Sequence, residues 1–110
     1  MTAATATTPI LIRAYRDAQE SIDLAIAEGD LRGEAAGLID RRSAAQWLTG
    51  SGQGWVVVLL RRERYYQTVV ANDAKDARCP DQERAENLAQ LALVTAQLNG
   101  LAAATRGSDR

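Results

Sequence analysis

Apolar side chains recur at steps of three and four residues near both ends of this chain, and no other feature of the sequence constrains the fold as strongly. Near the N-terminus the repeat comprises Leu11, Tyr15, Ala18, Ile22 and Ala25. Charged residues occupy the opposite arc of the helical wheel, so residues 9–28 are predicted to form an amphipathic helix. Thr8 is the expected N-cap, Pro9 the first helical residue and Gly29 the C-terminal stop.

The last predicted helix, residues 81–104, carries two apolar stripes. Asp81 is its expected cap. The first stripe is Leu88, Leu91, Ala92, Thr95, Leu98 and Ala102, and the second is Leu93, Val94 and Leu101. The second stripe is expected either to lie inside the bundle or to meet a second copy or another protein.

A third helix is predicted over residues 34–48, although Gly33 and Gly37 each cost about 1 kcal/mol relative to Ala inside a helix. The segment from Thr49 to Gly54 contains three Gly in its last five residues. Such a stretch breaks regular structure. It is interpreted as a flexible connection that divides the chain into two halves.

Residues 55–71 have strong strand propensity, and a β-hairpin is the alternative to a helix there. The four residues that would form the turn, Arg61 to Arg64, include no Gly, Asn, Asp or Pro, which argues against a hairpin. A helical wheel places most apolar residues on one arc: Trp55, Val58, Leu59, Tyr65, Tyr66, Val69 and Val70. Arg62 intrudes on that arc, and its stem is expected to pack there.

These elements predict an all-α fold, a small bundle of about four helices. The helical domain is expected to span residues 9–104, with flexible tails at 1–8 and 105–110. An α+β fold with a hairpin at residues 55–71 is the alternative.

Histidine is absent from the chain and Cys79 is its only cysteine. The usual Ser-His-Asp and Cys-His relays and zinc sites are therefore excluded. No Lys follows the glycines at 50–54, as a phosphate-binding loop requires. The acidic residues at 73–83 are interpreted as solvated loop charges, and Cys79 as a bystander. No catalytic residue, cofactor or metal ion is predicted, and we do not expect an enzyme.

Thirteen basic and fourteen acidic residues are interspersed and give a net charge of -1. No basic field is present to attract nucleic acid or anionic lipid. The longest apolar run, Trp55 to Leu60, is six residues, too short to cross a membrane. A lone cysteine and a Thr/Ala-rich N-terminus without basic residues indicate the cytoplasm. Twelve of the thirteen basic residues are Arg, a bias that suggests a bacterial or phage genome.

A DNA-binding regulator is the alternative function, because residues 43–64 match the spacing of a helix-turn-helix unit loosely. Its candidate phosphate contacts are Arg61, Arg62 and Arg64. The turn is too long, however, and the recognition helix would begin with apolar residues where base contacts need polar ones.

The expected function is a non-catalytic protein–protein interaction module: a small regulator, inhibitor, chaperone or assembly component that forms a homodimer or larger homo-oligomer. Residues 55–60 are apolar on every face and the last helix has two stripes, more than a small monomer covers. The interface candidates are Trp55, Val56, Val57, Leu60, Leu93, Val94 and Leu101.

Overall fold

The computed structural model describes residues 2–108, with side chains described for residues 7–103. It contains four α-helices, α1 (Thr2–Glu28), α2 (Leu31–Gly50), α3 (Gly54–Lys75) and α4 (Asp81–Ser108). Residues 2–108 include no strand. The all-α prediction is confirmed. The hairpin alternative is wrong, because residues 55–71 lie entirely within α3.

The first helix begins at Thr2 rather than at residue 9, so Pro9 lies inside α1. Thr8 is therefore not an N-cap. Alanines at 3, 4 and 6 favour helix, whereas Pro9, the eighth residue of α1, lacks the amide donor that a helix interior uses. Of the two predicted tails, residues 1, 109 and 110 lie outside the described residues. Flexibility of the two ends stays a prediction.

The turn between α1 and α2 depends on Gly29, whose φ is +71°. Gly29 N donates to the Ile26 carbonyl at 3.2 Å and Asp30 N donates to the Ala25 carbonyl at 2.8 Å. This pair of bonds is the Schellman motif, which favours Gly in the left-handed conformation. Asp30 then caps α2 by accepting a hydrogen bond from Gly33 N at 2.9 Å. The predicted stop at Gly29 is confirmed.

The predicted flexible connection from Thr49 to Gly54 is a hydrogen-bonded turn, with Thr49 and Gly50 in α2 and Gly54 in α3. Gly52 has φ +80°. Its amide donates to the Thr49 carbonyl at 3.1 Å, and Gln53 N donates to the Leu48 carbonyl at 2.7 Å. The same Schellman geometry thus ends α2, and only three residues separate α2 from α3.

The helices form a ring in which each packs against its neighbours in sequence, and α4 packs against α1. α1 also touches α3 across the ring, whereas the described parts of α2 and α4 do not meet. The molecule measures 49 × 35 × 22 Å. Its smallest dimension equals about two helix diameters, so the bundle is flattened. No helix within residues 2–108 has the length and apolarity that crossing a membrane requires.

Every helix contributes to the core. Its buried members are Ile12, Tyr15, Ala44, Leu48, Val56, Val57, Leu60, Val94 and Leu98. The predicted apolar arc of α3 faces inward only in part, because Leu59 packs against the core whereas Trp55, Val58 and Tyr65 are exposed. Arg62 is exposed too, and packing of its stem stays a prediction. The core side of α4 combines members of both predicted stripes.

Gly37 allows α1 and α2 to approach closely. A Cβ atom at this position would lie 2.6 Å from Ile22 Cγ1 and 3.3 Å from the Ala18 carbonyl oxygen. Both distances are shorter than ordinary van der Waals contact. The close packing of α1 on α2 therefore requires Gly at position 37, although Gly lowers the helix propensity of α2.

Replacing Gly37 by Ala is expected to lower the free energy of unfolding by up to about 2 kcal/mol, because overpacking outweighs the gain in helix propensity. Gly50→Ala in the same helix is the control, since no atom lies within 4 Å of its added Cβ. It should leave stability unchanged or raise it by up to about 1 kcal/mol. Urea denaturation measures both changes. Equal stability of the two variants would show that the Gly37 contact is not needed.

Candidate functional site

The seven interface candidates divide between core and surface. Trp55 and Leu93 are 52% and 58% exposed, and Leu101 packs partly buried against the core. The other four are core residues, at most 5% exposed: Val56, Val57, Leu60 and Val94. They offer almost no surface to a partner in this fold, although Val57 reaches a surface groove. A segment that is apolar on every face does not indicate which arc faces inward.

The outer face of α4 carries small and apolar side chains without charge. One exposed stripe, at steps of three and four residues, comprises Ala85, Ala89, Ala92, Ala96, Gly100 and Ala103. Leu88 and Leu93 flank it, both more than half exposed. Residues 87–105 contain no Asp, Glu, Lys or Arg. A solvent-facing helix normally places charges on its outer face, so this surface is unusual. We call it the α4 face.

A carboxylate lies in the interior of the bundle. Glu63 of α3 is 5% exposed. Arg16 of α1 donates to it twice, from Nε to Oε1 at 3.1 Å and from Nη2 to Oε2 at 2.8 Å. Thr95 Oγ1 of α4 donates to Oε2 at 2.9 Å, and Arg16 Nη1 donates to Asn99 Oδ1 at 2.9 Å. This buried cluster joins α1, α3 and α4. Paired charges and satisfied acceptors make it a structural feature rather than a reactive one.

A second polar cluster joins α1 to α2 and α3. Arg64 donates to both Asp23 oxygens, at 2.7 and 2.8 Å. Gln19 donates to Asp23 Oδ1 at 3.1 Å and accepts from Arg41 Nη1 at 2.6 Å. The Arg64 and Asp23 side chains are 40% and 39% exposed, so water screens this ion pair far more than the one at Glu63.

A groove of about 860 Å³ runs between α2 and α3 over α1. Four of its lining residues are arginines, and none is acidic: Arg41, Arg42, Arg61 and Arg64. Between them lie the apolar side chains Tyr15, Leu38, Ala45, Val57 and Val58. We call this feature the arginine groove.

The structure brings two of the three nucleic-acid candidates of α3 to one surface. Arg61 and Arg64 both line the arginine groove, and Arg64 is also paired with Asp23. Arg62 is exposed and does not line the groove. Binding of phosphate groups by these residues stays a prediction.

The lone cysteine lies beside two carboxylates. Cys79 Sγ donates to Glu83 Oε2 at 3.3 Å. One ligand atom each from Asp73, Cys79 and Glu83 lie within 4.8 Å of one another. The pKa of the Cys79 thiol is raised from 9.0 to about 11. Desolvation is the largest cause, and the hydrogen bond to Glu83 is the second. A protonated thiol is a poor nucleophile, so this cluster is not poised for covalent chemistry at neutral pH.

Two features of the surface were missed from the sequence. Trp47 is 71% exposed, and Arg41 and Arg42 join Arg61 at the arginine groove. The buried residues of α2 are Gly37, Ala44 and Leu48, so Trp47 lies off the inner face. Gly37 is a buried residue of this face, and a hydrophobicity pattern does not mark a glycine as buried.

Removing the partner of Glu63 should destabilise the fold strongly. Arg16→Ala is expected to cost about 3 kcal/mol, since it leaves a buried carboxylate without its cation. Arg64→Ala removes a bidentate ion pair at a more exposed position and should cost about 1 kcal/mol or less. Chemical denaturation of both variants measures the contrast.

The double variant Arg16→Met/Glu63→Leu should recover most of that loss, because an apolar pair needs no compensating charge. If Arg16→Ala and Arg64→Ala cost the same, burial of Glu63 is not the source of the effect.

Cys79 should resist alkylation. A thiol with a pKa of about 11 instead of 9.0 holds about 100-fold less thiolate at about pH 8. Iodoacetamide should therefore react much more slowly with the folded chain than with the same chain in urea. The folded rate should keep rising up to about pH 11, and a plateau near pH 9 would contradict the assignment.

The same shift links Cys79 to folding stability. Its folded pKa lies above its unfolded pKa, so the folded chain holds the thiol proton more tightly. The contribution is complete below pH 9.0 and is lost as pH rises to about 11.

Comparison with known proteins adds no relative. No family model, curated protein or solved structure matches this chain.

Proposed function

We propose that this chain is a non-catalytic protein–protein interaction module that pairs with a second copy of itself through the α4 face. Such a module suits a small cytoplasmic regulator, inhibitor, chaperone or assembly component. The observation that carries the proposal is the amount of surface the chain exposes.

The accessible surface of the chain is 7453 Å². A compact monomer of 11.9 kDa is expected to expose about 6,000 Å². The excess of about 1,500 Å² is nearly twice the ~800 Å² that each partner buries in a standard interface. Association of two copies through an interface of standard size would remove about half of this surplus.

The extended shape of the molecule also supports association of two copies. Its radius of gyration is 15.8 Å, whereas about 13 Å is expected for a compact domain of this length. Among the side chains described from 7 to 103, twelve large hydrophobic ones are also exposed by more than a third.

The α4 face fits a second copy for two reasons. Charged residues are depleted at the centres of protein interfaces, and this face has none. Small side chains also let two helices approach to the short end of the usual 8–10 Å separation. In an antiparallel two-fold pairing, Ala85 would lie opposite Ala103 of the partner subunit, and Ala92 opposite the partner's Ala96. Such an isologous pairing closes as a dimer.

Leu93→Asp should convert the dimer into a folded monomer. Leu93 is exposed, so the charge is tolerated in one chain but is buried without a partner in the dimer. Light scattering after size exclusion should fall from twice the 11.9 kDa chain mass to that mass, with the helical circular dichroism retained.

Leu101→Asp is the matched change on the inner side, because Leu101 packs against the core. It should lower stability by several kcal/mol. The proposal is wrong if wild-type protein is monomeric at high micromolar concentration, or if Leu93→Asp stays dimeric.

A further inference from the structure

We infer that the arginine groove binds an acidic amphipathic helix of about three turns, supplied by a different protein. The inference rests on the proposed interaction role and deepens it by naming the chemistry of a second partner. It uses a surface that the α4 face leaves open, since α2 and α4 do not meet.

The charge of the groove selects an anionic partner. Arg42 and Arg61 line it, are exposed, and have no hydrogen bond or ion pair to any side chain described between residues 7 and 103. Arg64 and Arg41 are already held by Asp23 and Gln19. The groove therefore offers two unpaired guanidinium groups beside two anchored ones. Guanidinium groups pair with carboxylates in a bidentate manner.

The apolar part of the groove selects a helix with an apolar stripe. Leu38 is 38% exposed and Val58 is 52% exposed, on opposite walls of the groove. Ala45 and Val57 also line the groove, Val57 with little exposed surface. Arginine at the rim with apolar contacts inside is the usual composition of a protein interface. An amphipathic helix lying in a groove between two helices is a common mode of recognition.

The length of the partner follows from the length of the groove. The α2 wall runs from Leu38 to Gly50. At 1.5 Å per residue this wall is about 18 Å long, which matches a helix of about three turns.

Two other occupants fit the groove less well. A DNA duplex presents a convex phosphate backbone, and its binding surfaces are more polar and more basic than a groove with Leu38 and Val58 on its walls. The α4 face of a second copy has no charged residue from 87 to 105, so it supplies no carboxylate to Arg42 or Arg61.

The test uses the full chain and a labelled synthetic helical peptide of about eleven residues, with Leu at steps of three and four and Glu beside each Leu. Its matched peptide has Lys in place of every Glu. The groove variant is Arg42→Glu/Arg61→Glu. The control variant is Arg13→Glu/Arg32→Glu, which makes the same change in net charge at two exposed arginines outside the groove.

Fluorescence anisotropy should show saturable binding of the Glu peptide to wild type. Affinity should fall at least about tenfold in the groove variant, stay within about twofold in the control variant, and weaken as salt is added. The Lys peptide should not bind. Circular dichroism of both variants checks that each remains folded.

The inference is overturned if the Glu peptide does not bind, if both double variants weaken it equally, or if a DNA duplex binds more tightly and loses affinity in the groove variant. The peptide experiment is repeated on Leu93→Asp. Binding that survives in that variant shows that the groove acts without dimerisation. Failure of the groove proposal can therefore be distinguished from failure of the proposed α4 dimer.

Discussion

The bidentate ion pair between Glu63 and Arg16 determines how the bundle is assembled. Glu63 is the only buried carboxylate among the side chains described at 7–103. Its burial is favourable only where Arg16 and Thr95 reach both of its oxygens. That requirement turns α3 so that Glu63 faces inward. Val56, Val57 and Leu60 then fill the core above it. Trp55, Val58 and Tyr65 are left on the outside as a result.

A second constraint comes from the close contact of α1 with α2. Gly37 and Ala18 bring the two helices together, and the short turn at Gly29 keeps them side by side. α2 is thereby held against α1, while it contacts α3 less extensively and does not reach the described part of α4. The arginine groove is the space that this arrangement leaves between α2 and α3. The flattened shape of the molecule has the same origin.

Secondary structure could be predicted from the sequence because its signals are local. The apolar repeat from Leu11 to Ala25 and the lack of turn residues at 61–64 are each visible within a short window. The inward face of α3 could not be predicted, because a hydrophobicity pattern ranks Glu63 as a surface residue and ignores Arg16, 47 positions away in sequence. The arginine groove was missed for a similar reason. Arg42 and Arg61 come together only through the turn at Gly52 and the packing of both helices on α1.

The two Schellman turns described above also bear on the order of folding. The turn at Gly29 makes the pairing of α1 with α2 a local event, and α3 and α4 are likewise neighbours in sequence. Local contacts close with little loss of chain entropy, and helical proteins rich in them fold quickly. The Arg16–Glu63 and Arg16–Asn99 bonds join residues 47 and 83 positions apart. We therefore expect each helical pair to form first and docking of the two pairs to be the slowest step, since Glu63 and Arg16 must then lose their water together.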